Sequence, residues 1–130
     1  MSDPQARVLI VDDSPVALAV LSAVFKTGHF EVATATHGQE GFDLALLSLP
    51  DVIVTDCVMP GVDGFGLLRL LKAHPATSAI PVVMLTSSEF TAPQPGSDQP
   101  QPEVFISKVT PMEELLGVVR GVLTAASGGL

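Results

Sequence analysis

The chain has 130 residues, of which 47% are hydrophobic and 15% charged, and its formal net charge is −8. This length suits a single domain that buries a core without disulfides, and the composition excludes a disordered chain. Only six residues are Lys or Arg, which argues against direct nucleic-acid binding because that requires a basic surface. A single cysteine cannot form an internal disulfide, and no apolar run reaches the roughly 20 residues that cross a bilayer. We therefore expect a cytoplasmic protein without a membrane role.

Strand-like and helix-like segments alternate in the first part of the chain. Residues 7–11 form a near-continuous apolar run, and residues 30–35 predict a second strand. Between them, Ser14-Pro15 is typical of a helix start, and Gly28 is placed to end that helix. We expect this helix to bury one apolar face, formed by Val16, Val20, Leu21 and Val24.

The same alternation continues in the rest of the chain. Residues 38–49 predict a helix that Pro50 ends, and residues 52–55 predict a strand. The loop 59–64 then leads into a helix that ends near His74-Pro75. The remaining predicted elements are strands at residues 81–85 and 104–106 and a final helix that starts at Thr110-Pro111.

One segment departs from this alternation. Residues 87–102 occupy the place of a connecting helix, yet they hold four prolines between positions 93 and 102. Each proline removes an amide donor and disfavours helical geometry before it, so we predict a Pro-rich loop in place of a regular fourth helix. The whole pattern predicts one α/β domain over residues 6–124, followed by a flexible tail or the start of a linker at residues 125–130.

Polar residues follow the predicted strands at the same end. Asp12 and Asp13 come after the first strand, Asp56 after the third, Thr86 after the fourth, and Lys108 shortly after the fifth. In a doubly wound parallel sheet, ligands bind beyond the carboxyl ends of the strands, where the strand order reverses. We therefore expect these side chains to share one pocket.

The residue types in this pocket indicate phosphoryl chemistry on a metal ion. Clustered carboxylates repel one another unless a cation is present, and Mg²⁺ prefers oxygen ligands. Asp56 is the candidate nucleophile that forms an aspartyl phosphate, while Lys108 and Thr86 would stabilise charge on the phosphoryl oxygens. The predicted metal ligands are Asp12, Asp13, Asp56 and the backbone carbonyl of Val58.

Together with the run Asp56-Cys57-Val58-Met59-Pro60-Gly61-Val62-Asp63-Gly64, these residues closely resemble the receiver domain of two-component response regulators, of the chemotaxis-regulator type. The resemblance implies a flavodoxin-like sheet of five parallel strands in the order 2-1-3-4-5. It also implies a phosphoacceptor at Asp56, a Mg²⁺-binding acidic pair at Asp12 and Asp13, and a lysine on the phosphoryl group at Lys108. By the same resemblance, Thr86 is the switch hydroxyl and Phe105 the switch aromatic residue.

The resemblance further implies the partners of the domain. A histidine kinase or a histidine phosphotransfer domain would donate the phosphoryl group, and a downstream protein effector would read the result. The domain would be no enzyme beyond catalysing its own phosphorylation and dephosphorylation. New charge at Asp56 would draw the Thr86 hydroxyl inward and leave a space into which Phe105 rotates.

The sequence departs from the family pattern after Lys108, because Val109 stands where proline is usual. We therefore expect either a trans peptide bond at this position or a deliberately strained site. Together with the Pro-rich segment, this departure is the reason to keep a second interpretation beside the phosphorylation switch, that of a phosphate-independent interaction module, a pseudo-receiver. A phosphatase of the haloacid dehalogenase type would need a second aspartate two residues after the nucleophile, where this chain has Val58.

Overall fold

The computed structural model describes residues 5–87 and 100–126. The strands are β1 (Arg7–Val11), β2 (Glu31–Ala35), β3 (Val52–Asp56), β4 (Val82–Thr86) and β5 (Val104–Ser107). The helices are α1 (Pro15–Thr27), α2 (Gly38–Ser48), α3 (Gly64–Ala73) and α4 (Met112–Ala126). The Pro-rich loop predicted at residues 87–102 falls mainly on residues 88–99, which lie outside the described part of the chain.

All five strands form one parallel sheet in the order β2-β1-β3-β4-β5, which confirms the predicted flavodoxin-like topology. The order reverses between β1 and β3, where a ligand site is expected. In the register of the sheet, Val11 pairs with Thr55 and Asp56 pairs with Leu85. The carboxyl ends of these strands therefore lie side by side.

Two apolar layers enclose the sheet. On one side, α1 and α4 pack over Val8 and Ile10 of β1, and on the other side α2 and α3 pack over Leu9 and Val11. Successive residues of a strand point to opposite faces, so a strand covered on both sides must be apolar throughout. This explains the near-continuous apolar runs and why every residue of β3 and β4 is buried.

The predicted apolar face of α1 is wrong at two positions. Val16 is 73% exposed and Val20 is 56% exposed, whereas Leu18, Val24 and Phe25 are buried. Val16 and Val20 each lie two residues from Leu18, which places them about 200° around the helix from it. The Phe25 ring packs edge-on against Phe30, with the ring centroids 5.3 Å apart. It occupies the face of α1 that packs against the sheet, so Val16 and Val20 face the solvent.

The last helix also differs from the prediction. Ala125 and Ala126, assigned above to a flexible tail, lie within α4, consistent with alanine being the best helix former. Residues 127–130 of the predicted tail lie outside the described residues. Across residues 5–87 and 100–126, every peptide bond is trans, as predicted for Lys108–Val109. No helix in these same ranges is long and apolar enough to cross a membrane.

Candidate functional site

Three carboxylates converge where β1 and β3 end. One oxygen from each of Asp12, Asp13 and Asp56 lies within 4.8 Å of the other two. Asp12 and Asp56 are only 2% and 4% exposed, whereas Asp13 is exposed. The backbone positions Asp12 by a bond from its amide to the carbonyl of Ala35 at 3.1 Å. The strand ends thus form a concentrated patch of negative charge beside solvent.

Lys108 provides the positive charge nearest to Asp56. Its Nζ lies 2.9 Å from Oδ1 of Asp56, and the lysine side chain is 40% exposed. The Lys108 amide donates to the carbonyl of Thr86 at 2.8 Å, which ties the loop after β5 to the end of β4. Burial by itself would lower the pKa of Lys108, but the hydrogen bond and charge of Asp56 outweigh it and raise this pKa. The ammonium is therefore held in its charged form against the phosphoacceptor candidate.

The electrostatic cost of the cluster is visible at Asp12. Burial raises the pKa of the Asp12 carboxyl, and the charges of Asp56 and Asp13 raise it further. A hydrogen bond from the Ser14 amide at 2.9 Å and the charge of Lys108 act in the opposite direction without cancelling the rise. A carboxylate that is costly to ionise where it lies is one that a bound cation would stabilise.

The three carboxylate oxygens lie close enough together to share one cation. In an octahedral Mg²⁺ site with bonds of about 2.1 Å, ligand oxygens lie about 3 to 4.2 Å apart. The spacing within 4.8 Å fits that range after small side-chain adjustments. Val58 follows two residues after Asp56 and its amide approaches Oδ1 of Asp56 at 3.4 Å, so its backbone runs along the rim of the cluster.

Thr86 and Phe105 lie on the adjacent strands. Thr86 is buried at the end of β4, and its hydroxyl donates to the carbonyl of Ile106 at 3.3 Å. Phe105 is half-buried on β5 and packs against the α2–α3 side of the sheet. Its ring centroid lies 6.2 Å from that of Phe65 in α3, with the two rings tilted by 43°. The hydroxyl and the aromatic ring therefore flank Ile106 on the same strand pair.

Gly64 is a site feature whose role the sequence reading missed. A Cβ at this position would lie 2.4 Å from the carbonyl oxygen of Asp56 and 3.1 Å from Cα of Cys57. The Gly64 amide donates to the carbonyl of Cys57 at 3.0 Å. The available signal was a poor helix former at the first position of a helix, directly after the N-cap Asp63. Only the tertiary approach of α3 to β3 explains why glycine stands there.

Cavity size alone does not locate this cluster. A cavity of about 210 Å³ reaches it from the α1 side and is lined by Asp12, Ala17, Val20, Leu21, Leu85 and Lys108. Two larger grooves, of about 630 and 530 Å³, lie between α2 and α3 and beside β5 and α4. Neither is lined by the three clustered carboxylates, so the chemistry of the residues identifies the site.

Comparison with known proteins gives the class of the chain. The family model described as response regulator receiver domain matches residues 8–120. Protein PilH of Pseudomonas aeruginosa is 36% identical over 118 residues, which cover 91% of this chain and 98% of PilH. Response regulator PleD of Caulobacter vibrioides is 43% identical over 82 residues, which cover 63% of this chain and 18% of PleD. The chain belongs to the response regulator receiver domain family.

Solved structures agree with this assignment. A putative response regulator from Chloroflexus aurantiacus has a TM-score of 0.85 and 27% identity, covering 93% of this chain and 99% of its own. Chemotaxis protein CheY4 of Vibrio cholerae has a TM-score of 0.80 and 28% identity, covering 92% and 99%. The receiver domain of the sensor histidine kinase PA1611 from Pseudomonas aeruginosa, which has a magnesium ion in its active-site cleft, shares the fold with a TM-score of 0.83 at 22% identity, covering 92% of this chain and 98% of its own.

Proposed function

We propose that this receiver domain is a phosphorylation switch in which Asp56 accepts a phosphoryl group from a histidine kinase or a histidine phosphotransfer domain. The observation that carries this proposal is the geometry around Asp56. Its carboxylate shares one 4.8 Å cluster with Asp12 and Asp13 and lies 2.9 Å from the Lys108 ammonium. Phosphoryl transfer to Asp56 requires acidic groups that bind a cation and a basic group beside the carboxylate, and both are present. A pseudo-receiver, which binds partners without phosphorylation, does not require them, so their presence favours phosphoryl transfer.

The transfer needs one bond to form and one to break. An oxygen of Asp56 attacks the phosphorus of a phosphohistidine, the phosphorus–nitrogen bond breaks, and the donor imidazole leaves with the bonding electron pair. Lys108 already contacts Asp56 and is placed to follow the negative charge from the carboxylate onto a phosphoryl oxygen. Phosphoryl transfer depends mainly on alignment and charge compensation, which these groups supply.

Asp12, Asp13, Asp56 and the backbone carbonyl of Val58 would hold Mg²⁺ in this proposal. When bound, the ion neutralises charge on the phosphoryl oxygens and on the acidic cluster. The support from this chain is the spacing of the three carboxylate oxygens and the raised pKa of Asp12. Because Mg²⁺ usually keeps several waters, these residues would leave room for phosphoryl oxygens beside the ion.

The signal would pass through Thr86 and Phe105. In the present structure the Thr86 hydroxyl is bonded to the Ile106 carbonyl. A phosphoryl group on Asp56 offers this hydroxyl a charged acceptor, and charge-assisted hydrogen bonds are the stronger ones. Movement of Thr86 would leave space for the Phe105 ring and change the surface formed by β4 and β5.

We place the receiver domain at residues 6–124. We further propose that a downstream protein effector binds the phosphorylated form. The net charge of −8 supports a protein target over nucleic acid. We also place the domain in the cytoplasm, together with the kinase or phosphotransfer domain that would phosphorylate it. Phosphorylation and effector binding should strengthen each other by the same factor, because thermodynamic coupling is reciprocal.

Incubation with a small phosphodonor and Mg²⁺ tests the proposal by intact-protein mass spectrometry. We expect the native protein to gain one phosphoryl group and Asp56→Ala to gain none. Asp43→Ala, which removes an exposed carboxylate on α2, is the matched control and should be phosphorylated normally. Absence of any mass gain in the native protein, or an unchanged gain in Asp56→Ala, would overturn the proposal.

A further inference from the structure

The first turn of α3 is attached directly to the end of the phosphoacceptor strand. The Gly64 amide donates to the Cys57 carbonyl at 3.0 Å, and the Cα of Gly64 approaches β3 so closely that a Cβ would meet the Asp56 carbonyl at 2.4 Å. A gap too narrow for a methyl group leaves little free space between the helix and the strand. A displacement of the backbone at Asp56 is therefore transmitted to the next residue of α3, which is Phe65.

Phe65 is in contact with the switch aromatic residue. The Phe65 and Phe105 ring centroids are 6.2 Å apart at an interplanar angle of 43°, within the range of favourable aromatic pairs. Both rings are half-buried and pack against the same apolar layer between the sheet and α2–α3. The phenylalanine of α3 thus connects the two parts of the proposed switch, the phosphoacceptor strand and the Phe105 ring.

We propose that Phe65 is the positioning residue that holds Phe105 in its resting orientation and thereby sets how readily the domain switches. The inference rests on the proposed function, in which Phe105 rotates after phosphorylation of Asp56. In the structure the Thr86 hydroxyl donates to the Ile106 carbonyl at 3.3 Å, which is the partner the proposed function gives it before phosphorylation. The Phe65–Phe105 contact therefore belongs to the resting orientation. Loss of the Phe65 ring should therefore favour the rotated state.

The size of the effect follows from the energy of one aromatic pair. Such pairs shift an equilibrium by about 2- to 12-fold beyond the burial of area alone, at ordinary temperature. A ligand that prefers the rotated state should bind more tightly by up to the same factor once the resting state is weakened. Beryllofluoride with Mg²⁺, which imitates a phosphoryl group on an aspartate, is such a ligand in the proposed mechanism.

The test compares Phe65→Leu, Phe65→Tyr and the native protein. Phe65→Leu keeps an apolar side chain but removes the ring, whereas Phe65→Tyr keeps the ring. Phe42→Leu is the matched control, because the Phe42 ring stacks on His74 at 6.1 Å in a different contact of the same layer. Three-bond couplings across χ1 of Phe105, measured by NMR on labelled protein, report its rotamer without interference from the ring current of a neighbour.

In Phe65→Leu without beryllofluoride, we expect the second Phe105 rotamer to rise about 2- to 12-fold and the beryllofluoride affinity to rise with it. Phe65→Tyr should restore the native couplings, and Phe42→Leu should lower stability without changing the couplings or the affinity. Native couplings in Phe65→Leu, or equal effects of Phe65→Leu and Phe42→Leu, would refute the inference. If the native protein instead fails to bind beryllofluoride at all, the proposed function fails, whatever the rotamer of Phe105.

Discussion

Replacing Gly64 with alanine tests how closely α3 must approach β3, the strand that ends at Asp56. The new Cβ would lie 2.4 Å from the Asp56 carbonyl oxygen, whereas ordinary contacts begin at 3.4 Å, so helix and strand must separate by about 1 Å. The new Cβ would also lie 3.1 Å from Cα and 3.2 Å from the carbonyl oxygen of Cys57. Both are backbone atoms, so neither can rotate away. The strain must therefore be absorbed by moving a secondary-structure element.

Two opposing effects set the magnitude for stability. Overpacking a tight contact costs about 1 to 3 kcal/mol, and alanine returns up to about 1 kcal/mol through its better helix propensity. We expect a net loss of about 1 to 2 kcal/mol, which lowers the melting temperature of a domain this size by roughly 4 to 8 °C. A displacement of about 1 Å at Asp56 should also slow its phosphorylation by up to about a hundredfold.

Gly117→Ala is the matched control, because a Cβ at this exposed position of α4 would have no atom within 4 Å. This change should raise the unfolding free energy by about 0.4 to 1 kcal/mol and leave phosphorylation unchanged. The chain has no Trp or Tyr, so urea unfolding is best followed by far-ultraviolet circular dichroism. A Gly64→Ala protein that is as stable as the native one and is phosphorylated at the native rate would refute the reasoning.

Three further predictions concern the metal, the thiol and the core. Mg²⁺ at ten times its dissociation constant should stabilise the native protein by about 1.4 kcal/mol in thermal unfolding. Asp12→Asn should abolish most of this gain. An equal gain in the native protein and in Asp12→Asn would count against the metal site. Burial raises the pKa of Cys57 from 9.0 to about 11, so at pH 8 its alkylation should be about 100-fold slower in the folded than in the urea-unfolded protein. Because the unfolded thiol ionises before the folded one, Cys57 leaves the unfolding free energy unchanged below pH 9 and lowers it as the pH increases toward 11. Equal alkylation rates in the folded and unfolded protein would contradict both statements. Phe25→Ala should cost about 3 to 5 kcal/mol in urea unfolding, because the ring is fully buried against Phe30; a loss below about 1 kcal/mol would contradict the assigned core.

The topology was predictable because its signals are local. The apolar runs at β1, β3 and β4 indicate strands buried on both faces, and the helices between them require parallel pairing with right-handed crossovers. The order 2-1-3-4-5 itself came from the resemblance to receiver domains. The placement of Asp12 and Asp56 at one edge follows from the same regularity, since parallel strands all end on one side of a sheet.

The misassigned features depend on interactions between segments. Whether Val16 or Leu18 of α1 faces the core depends on how the large Phe25 ring packs against the sheet, which the apolar pattern of the helix does not encode. Ala125 and Ala126 belong to α4 and not to the predicted tail, because alanine continues a helix as readily as it joins a linker. In both cases the sequence signal was compatible with more than one arrangement, and packing selected one.

The amino-acid sequence by itself determined the class of fold and the end of the sheet at which Asp12, Asp13, Asp56 and Lys108 gather. The tertiary structure alone decided that Lys108 pairs with Asp56, that position 64 has no room for a side chain, and that Phe65 meets Phe105. The physical reason is the range of the forces involved. Periodicity and capping act within a few residues of the chain, whereas a salt bridge, a steric limit and an aromatic contact depend on distances that exist only after distant segments have packed together.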